Sequence, residues 1–315
     1  MRESEMQVAQ LDVSLGRTLG TAERTEGRLA FRIAETLFTL SGDRDVRLVL
    51  DPGLRPFAVE PEPGGLEIRV GWTEDLMVPS RAPIFHSGGL WSLYQESDGF
   101  RFYFSTPRLG RTPYKAAWFD SEFTRGDVVL LRRHFDVNYP VYPLEYPLDE
   151  LAMIHRLACG EGVEVHAVGL VDERGRGHVF LGHSGAGKST TARLWQAESK
   201  AHILSDDRII LRVRDDRIWM YGTPWHGDAG IASPDCAPLS RLYLLEHARK
   251  TELSPVSRGR ATAELLSRSF VPHHSPQGLQ FTLRFLERVA EQIPCFVFRF
   301  TPDKSAVEAI CHASA

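Results

Sequence analysis

The first part of the chain carries short runs in which apolar and polar residues alternate, separated by turn residues. Alternation over four to eight residues is typical of half-buried β-strands. The runs are Ala30–Ile33, Val46–Leu50, Leu66–Trp72, Leu90–Tyr94, Phe100–Ser105 and Val128–Leu131. The polar segment Gln95–Gly99 between two such runs predicts a hairpin. We therefore expect a β-rich accessory domain over residues 28–137, with a tail or pairing segment at 1–27.

The pattern changes after a stretch with three prolines, residues 138–147, which predicts a stiff, extended linker. Residues 148–159 follow as an amphipathic helix. Apolar strand runs then predict strands at 165–172, 179–181, 203–211, 217–221, 237–246, 253–256 and 295–300. Helices are predicted at 189–197, 261–270, 279–292 and 304–311. We expect residues 148–315 to form an α/β domain.

Composition excludes several classes of protein. The 315 residues are 43% hydrophobic and 25% charged with a net charge of −4, so a basic nucleic-acid groove is not expected. No apolar run is long enough to span a bilayer, and the N-terminus does not resemble a signal peptide. The four cysteines are far apart, as in a protein of the reducing cytoplasm. We expect a cytoplasmic protein with no membrane partner.

The most informative segment is Gly182–Thr190, with the sequence GHSGAGKST, which matches the phosphate-binding pattern G-x-x-x-x-G-K-[ST]. It lies between an apolar strand and a helix, which is the order that such a loop requires. The glycines allow backbone N–H groups to turn toward phosphates, Lys188 supplies a cation, and Ser189 offers a hydroxyl to Mg²⁺. The expected nucleotide contacts are Gly182, Ser184, Gly185, Ala186, Gly187, Lys188, Ser189 and Thr190. We expect ATP and Mg²⁺ as cofactors.

Two adjacent carboxylates, Asp206 and Asp207, interrupt the apolar strand run at 203–211. Buried carboxylates are costly unless a cation compensates them. Neighbouring residues of a strand point to opposite faces, so both can reach one pocket only if the strand ends between them. One would then hold the metal while the other accepts a proton from an attacking hydroxyl. A pair of solvated aspartates in a turn is the alternative.

These motifs resemble the HPr kinase/phosphorylase family. Like that family, the chain has a histidine, an apolar run and an aspartate (His166 to Asp172), then a short Gly-x-Gly turn (Gly175–Gly177), the phosphate loop and an Asp-Asp pair. The ATP-dependent phosphoenolpyruvate carboxykinases are similar in the last two features. The resemblance covers roughly residues 160–215 and implies a P-loop kinase domain of HPr kinase/phosphoenolpyruvate carboxykinase type.

Carried over residue by residue, the resemblance implies catalytic roles for Asp206, His166 and Lys188. Asp206 would be the base, with His166 beside it, while Ser189 and Asp207 would bind the metal. The second signature of HPr kinases is not found, and Tyr221–Gly230 stands in its place. This departure argues against HPr itself as the substrate. The chain looks more like HPr-kinase-related proteins that act on peptides or small hydroxyl compounds.

Two further segments are weaker candidates. The glycine-rich residues 222–230 place Trp225, His226 and Asp228 close together, as ligand-binding loops do, although a structural hairpin is equally compatible. Arg258 and Arg260 precede a helix and could reach a γ-phosphate, although exposed arginines are common.

We therefore expect a phosphotransferase that moves the γ-phosphoryl group of ATP to a hydroxyl, with a serine of a peptide or protein as the favoured acceptor. A small-molecule hydroxyl kinase is an alternative, as is a nucleotide-dependent binding module with little chemistry. Relatives of the resembled family often form hexamers or dimers, so a homo-oligomer is also open.

Overall fold

The computed structural model describes residues 27–110, 112–183 and 185–313, and these residues form a mixed α/β structure with two β-sheets. They divide into two compact units. The first contains residues up to Ala30, Phe38–Pro52 and Glu60–Met153. The second contains Phe31–Leu37, Gly53–Val59 and the chain from Ile154 onward. The segment predicted as a tail, 1–27, lies outside the described residues except for Gly27.

The first sheet has eight strands in the order β1-β2-β3-β8-β7-β6-β5-β4. These are β1 (Arg28–Ile33), β2 (Thr36–Gly42), β3 (Leu66–Thr73), β4 (Phe85–His86), β5 (Trp91–Gln95), β6 (Gly99–Phe104), β7 (Lys115–Asp120) and β8 (Arg125–Leu131). Short 3₁₀ turns occur at Pro52–Phe57, Pro107–Leu109 and Arg132–His134. The predicted hairpin joins β5 and β6, where the Glu96 N–H donates to the Gly99 carbonyl at 2.9 Å.

In the first sheet, one predicted strand is wrong, and three strands were not predicted. Residues 46–50 alternate as a strand does, yet only Leu48 pairs, in an isolated bridge with Val141. The missed strands are β2, β4 and β7. The segment 138–147, predicted as an extended linker, contains turns and packs within the first unit. Its Leu144 is fully buried, and Glu145 accepts a hydrogen bond from the buried Lys115 at 3.1 Å.

The second sheet has nine strands, with the path β10-β9-β12-β13-β14-β17-β15 and additional pairing of β10 with β14. They are β9 (Gly162–Val171), β10 (Gly177–Leu181), β11 (His202–Ser205), β12 (Arg208–Arg214), β13 (Arg217–Tyr221), β14 (Cys236–His247), β15 (Glu252–Pro255), β16 (Ser269–Phe270) and β17 (Cys295–Phe300). Both β11 and β16 pair with β9. The long strand β9 therefore holds several elements of the candidate site in register.

Within the part of the chain that the structure describes, there are five helices: α1 (Leu148–Ala158), α2 (Lys188–Glu198), α3 (Arg258–Leu266), α4 (Pro276–Gln292) and α5 (Lys304–Ala313). Helix α3 is shorter than predicted and is followed by β16. Helix α4 begins at Pro276, because the Ser275 hydroxyl accepts from the Gly278 N–H and proline suits the first turn.

Alternate residues of the central strands contribute to two hydrophobic clusters. Val179 and Leu181 belong to a cluster with Phe285, Leu286 and Val289 of α4. Phe180 belongs to the other, with Trp195 of α2 and residues of α5. Burial on both faces suits the near-continuous apolar strands, since side chains along a strand point to opposite sides. The parallel strands β10, β14 and β17 form the buried centre of this sheet.

Candidate active site

The phosphate loop, residues 182–190, follows β10 and runs into α2, in the order that the motif requires. Gly185 and Gly187 have φ angles of +79° and +97°, in the left-handed region that favours glycine. A Cβ atom at Gly187 would also lie 3.1 Å from Phe300 and 3.2 Å from His247. The glycine pattern is therefore required by the backbone of the loop. Ser184, predicted to contact the nucleotide, lies outside the described residues.

Lys188, the first residue of α2, is only 7% exposed. Its ammonium donates to the backbone carbonyls of Gly182, at 3.0 Å, and His183, at 3.3 Å. The side chain thus turns back into the loop that contains it. A charged oxygen is a stronger acceptor than a carbonyl, so this cation is positioned to bind an anion at the start of α2.

The other predicted loop residues differ in exposure. Ala186 and Ser189 are partly buried, while Thr190 is exposed at the second residue after Lys188. The Ala186 N–H donates to the His183 carbonyl at 3.0 Å, which closes a turn within the loop. Their contacts with a nucleotide, and the role of Ser189 at a metal, stay predictions.

The strand predicted over residues 203–211 is interrupted at the acidic pair, Asp206 and Asp207. Strand β11 ends at Ser205 and β12 begins at Arg208, so both aspartates lie at a strand end. The two carboxylates have different partners.

Asp206 is 1% exposed and accepts three backbone hydrogen bonds. The N–H groups of Gly227 and Ile231 donate to Oδ1, at 3.0 and 3.2 Å, and that of Ala229 donates to Oδ2 at 2.8 Å. These donors belong to the glycine loop, residues 222–235, which joins β13 to β14. A carboxylate whose two oxygens accept three backbone N–H groups anchors the loop that donates them.

Asp207 lies against His166 of β9, with His166 Nε2 2.8 Å from Asp207 Oδ1. The sequence predicts His166 beside Asp206, but the hydrogen-bond partner of His166 is Asp207. Register explains the pairing, because His166 is opposite Arg208 in the ladder between β9 and β12. Arg208 also forms an ion pair with Asp207.

The charge environment keeps Asp207 ionised. Burial alone would raise the pKa of Asp207, but the hydrogen bond from His166 and the charges of Arg208, His166 and Lys188 outweigh burial and hold that pKa below its ordinary value. The charge of Lys188 contributes least to this lowering.

Arg268 also reaches this site, although nothing in the sequence singled it out. It follows α3, and its carbonyl accepts from the His166 N–H at 2.7 Å. Its guanidinium lies 2.9 Å from His183 Nε2 of the phosphate loop. The weaker candidates behave differently: Arg258 pairs with Glu291, and Arg260 lies near Glu246 and Glu264, with both guanidinium groups largely exposed.

The glycine loop is both a site-lining segment and a hairpin connection. Its Gly227 abuts the acidic pair, because a Cβ there would lie 2.9 Å from Asp206 Oδ2 and 3.3 Å from Asp207 Cβ. Trp225 is buried, whereas His226 and Asp228 are exposed. The Asp228 carbonyl accepts from Arg193 of α2 at 3.3 Å. The loop therefore connects the acidic pair to the helix that follows the phosphate loop.

Two negative findings apply to the described residues. They contain no group of three or more His, Cys, Asp or Glu side chains arranged to hold a metal ion by themselves. Within the same ranges, no helix is long and apolar enough to cross a membrane. The four cysteines are free thiols.

No protein-family model and no curated protein matches the sequence. Among solved structures, the HPr(Ser) kinase/phosphatase from Coxiella burnetii is similar at 13% identity, over 48% of this chain and 95% of that chain, with a TM-score of 0.28. A TM-score of this size does not establish a shared fold.

Proposed function

We propose that this protein is a Mg²⁺- and ATP-dependent phosphotransferase that moves the γ-phosphoryl group to a hydroxyl. One observation carries the proposal: Arg268 contacts His183 of the glycine-rich loop through its guanidinium and His166 through its carbonyl, and His166 lies 2.8 Å from the Asp207 carboxylate. The loop and its lysine suit polyphosphate binding, and the His166–Asp207 pair suits proton transfer from an attacking hydroxyl.

In this proposal, Lys188 and the loop backbone N–H groups bind the β- and γ-phosphates. The acceptor oxygen attacks the γ-phosphorus, and the bond from that phosphorus to the β-phosphate oxygen breaks. His166 takes the proton of the hydroxyl, and the ionised Asp207 stabilises the imidazolium that forms. Asp206, the residue first expected to be the base, instead positions the glycine loop, because three amides already occupy its oxygens.

Ser189 and Asp207 offer oxygen donors of the kind that bind magnesium. Mg²⁺ prefers oxygen ligands and is commonly held by one or two carboxylates together with substrate phosphates. The Ser189 hydroxyl and the Asp207 carboxylate would hold it. Bound there, the ion would neutralise charge on the β- and γ-phosphate oxygens.

The favoured acceptor is a serine of a peptide or protein, and a small-molecule hydroxyl is the alternative. The glycine loop supports an acceptor site beside Asp207, because Gly227 packs against the acidic pair while His226 and Asp228 are exposed. A loop of this kind brings polar groups to a reacting centre without blocking it.

A nucleotide-dependent binding module is the second candidate. The hydrogen bonds from the glycine loop to Asp206 favour it, because they couple the neighbourhood of the phosphate loop to an exposed surface segment. Such a module would bind ATP and change the glycine loop without transferring phosphate.

Transfer of labelled γ-phosphate in a single turnover separates the two candidates. Purified protein with Mg²⁺ and γ-labelled ATP is mixed with a serine-containing peptide library or a set of small alcohols. The kinase proposal predicts labelled acceptor with wild type and none with His166→Ala. ATP binding without transfer to any acceptor would favour the binding module, and absence of ATP binding would reject both.

A further inference from the structure

Arg268 is a buried arginine at the phosphate loop. Its side chain is 7% exposed. Burying a guanidinium is costly unless its donors are satisfied, and buried charges occur mainly where they are paired or functional. The burial of the Arg268 guanidinium therefore needs a physical explanation.

The partners of Arg268 account for only part of its hydrogen-bonding capacity. Nη1 donates to the Glu264 carboxylate at 2.5 Å, to the Glu264 carbonyl at 2.8 Å and to the Ser267 hydroxyl at 2.9 Å. Nη2 lies 2.9 Å from His183 Nε2. Nε is buried and has no hydrogen-bond partner among the described residues. Nη1 is thus held by Glu264 and Ser267, while Nη2 faces His183 of the phosphate loop and Nε keeps an unused donor.

The backbone of Arg268 is fixed beside the proposed reacting pair. Its carbonyl accepts from the His166 N–H at 2.7 Å, and the next two residues, Ser269 and Phe270, pair with Val165 and Glu164 of β9. Arg268 therefore spans from the strand that carries His166 to the loop that carries Lys188. The same loop residue connects both cations, because the His183 carbonyl accepts from Lys188 while its imidazole contacts Arg268.

We propose that Arg268 is a second phosphate-binding cation, which contacts the terminal phosphate of a nucleoside triphosphate bound by the loop. The inference rests on the proposed nucleotide binding and adds a residue that distinguishes a triphosphate from a diphosphate. Arginine suits this task, because its planar fork binds phosphate oxygens through two donors at once. Glu264 keeps the guanidinium oriented, and a charged phosphate oxygen is a stronger acceptor than an imidazole nitrogen.

The test compares the dissociation constants of a non-hydrolysable ATP analogue and of ADP, both with Mg²⁺, for wild type and Arg268→Gln. We expect Arg268→Gln to weaken binding of the ATP analogue roughly tenfold or more, the size expected for loss of a hydrogen bond to a charged group. Binding of ADP should weaken by less than about threefold. Arg260→Gln is the matched control, because Arg260 lies in α3 near the same Glu264 and is half exposed. This control should leave both constants unchanged.

His183→Ala separates a direct contact from an effect through the loop. If Arg268 contacts the phosphate, this variant keeps the preference for the triphosphate. If His183→Ala removes the preference as Arg268→Gln does, Arg268 acts only through the loop and the inference is overturned. An equal loss of ATP and ADP affinity in Arg268→Gln would also overturn it.

Arg268→Lys decides the question if Arg268→Gln does not fold. Lysine keeps the positive charge but lacks the two-donor geometry of the guanidinium. We therefore expect Arg268→Lys to prefer the triphosphate over the diphosphate less strongly than wild type does, but more strongly than a protein with no cation at this position. An unchanged preference would contradict the inference. A wild-type protein that binds neither nucleotide would instead reject the proposed function, so the two failures are distinct.

Discussion

His166 Nε2 lies 2.8 Å from Asp207 Oδ1, across the ladder between β9 and β12. The ionised carboxylate is the natural acceptor for an N–H at Nε2, which leaves Nδ1 as the ring atom that can take a proton. This contact makes Asp207, and not Asp206, the carboxylate coupled to the histidine.

Asp207→Asn should therefore remove most of the transfer activity. An amide cannot stabilise an imidazolium as a carboxylate does, and general base catalysis contributes roughly 10²–10⁴-fold. We expect single-turnover transfer to fall by about 10²-fold or more, while ATP binding measured without Mg²⁺ changes little. Asp215→Asn is the control, because Asp215 is an exposed carboxylate in the turn between β12 and β13, outside the proposed site. Transfer at the wild-type rate in Asp207→Asn would show that the pair does not act in the reaction.

Asp206→Asn should release the glycine loop while the rest of the sheet stays intact. An amide has one acceptor oxygen in place of two, so at least one of the three backbone donors loses its partner. The expected loss of stability is about 1–3 kcal/mol, the usual cost of leaving a buried hydrogen-bonding group unsatisfied.

Hydrogen exchange measures this effect directly. The amides of Gly227, Ala229 and Ile231 should exchange faster in Asp206→Asn, whereas amides of β9 and β14 should keep their protection. Uniformly faster exchange over the second unit would indicate general destabilisation, and no change at these three amides would contradict the anchoring role.

A separate buried network predicts a pH-dependent stability. Asp172 is 8% exposed and accepts from His178, at 3.1 Å, and from Arg176. Burial would raise its pKa, but the hydrogen bonds from the Arg176 backbone and side chain and from His178 lower the pKa of Asp172 to about 2. A depressed pKa in the folded state means that the unfolded state binds the proton first as pH falls.

Ionised Asp172 should thus make its full contribution to the free energy of unfolding above the ordinary pKa of aspartate, near 3.9. This contribution should disappear as the pH falls toward the pKa of the folded state, about 2. Urea unfolding of wild type and Asp172→Asn between pH 7 and pH 2.5 tests this expectation. The two free energies of unfolding should differ at pH 5–7 and converge at the acid end. A constant difference over the whole range would show that ionisation of Asp172 does not matter.

Much of the candidate site could be predicted because its signals are local. The phosphate loop depends on glycines whose left-handed angles are properties of single residues, such as Gly187. The strand break at the acidic pair followed from the side-chain alternation of a strand. The β5–β6 hairpin is equally local, since its turn residues and both strands are contiguous.

The features that could not be predicted depend on contacts between residues that are far apart in the sequence. The amides that bind Asp206 come from residues 227, 229 and 231, and no pattern within the β11–β12 segment identifies them. Arg268 reaches the loop only because β16 pairs with β9. Conversely, residues 46–50 have the alternation of a strand but find only one bridging partner, Val141. In each of these cases the structure depends on pairing between segments that are far apart in the sequence. The local alternation of apolar and polar residues does not predict such pairing.

The central claim is that the phosphate loop binds a nucleoside triphosphate through Lys188, beside the His166–Asp207 pair. The most direct measurement is a titration with a Mg²⁺-bound, non-hydrolysable ATP analogue of wild type, Lys188→Met and the surface control Lys250→Met. We predict saturable binding to wild type and to Lys250→Met, and a loss of roughly tenfold or more in Lys188→Met, the size expected for a hydrogen bond to a charged group. Equal affinities in all three proteins, or no binding to wild type at millimolar nucleotide, would contradict the account.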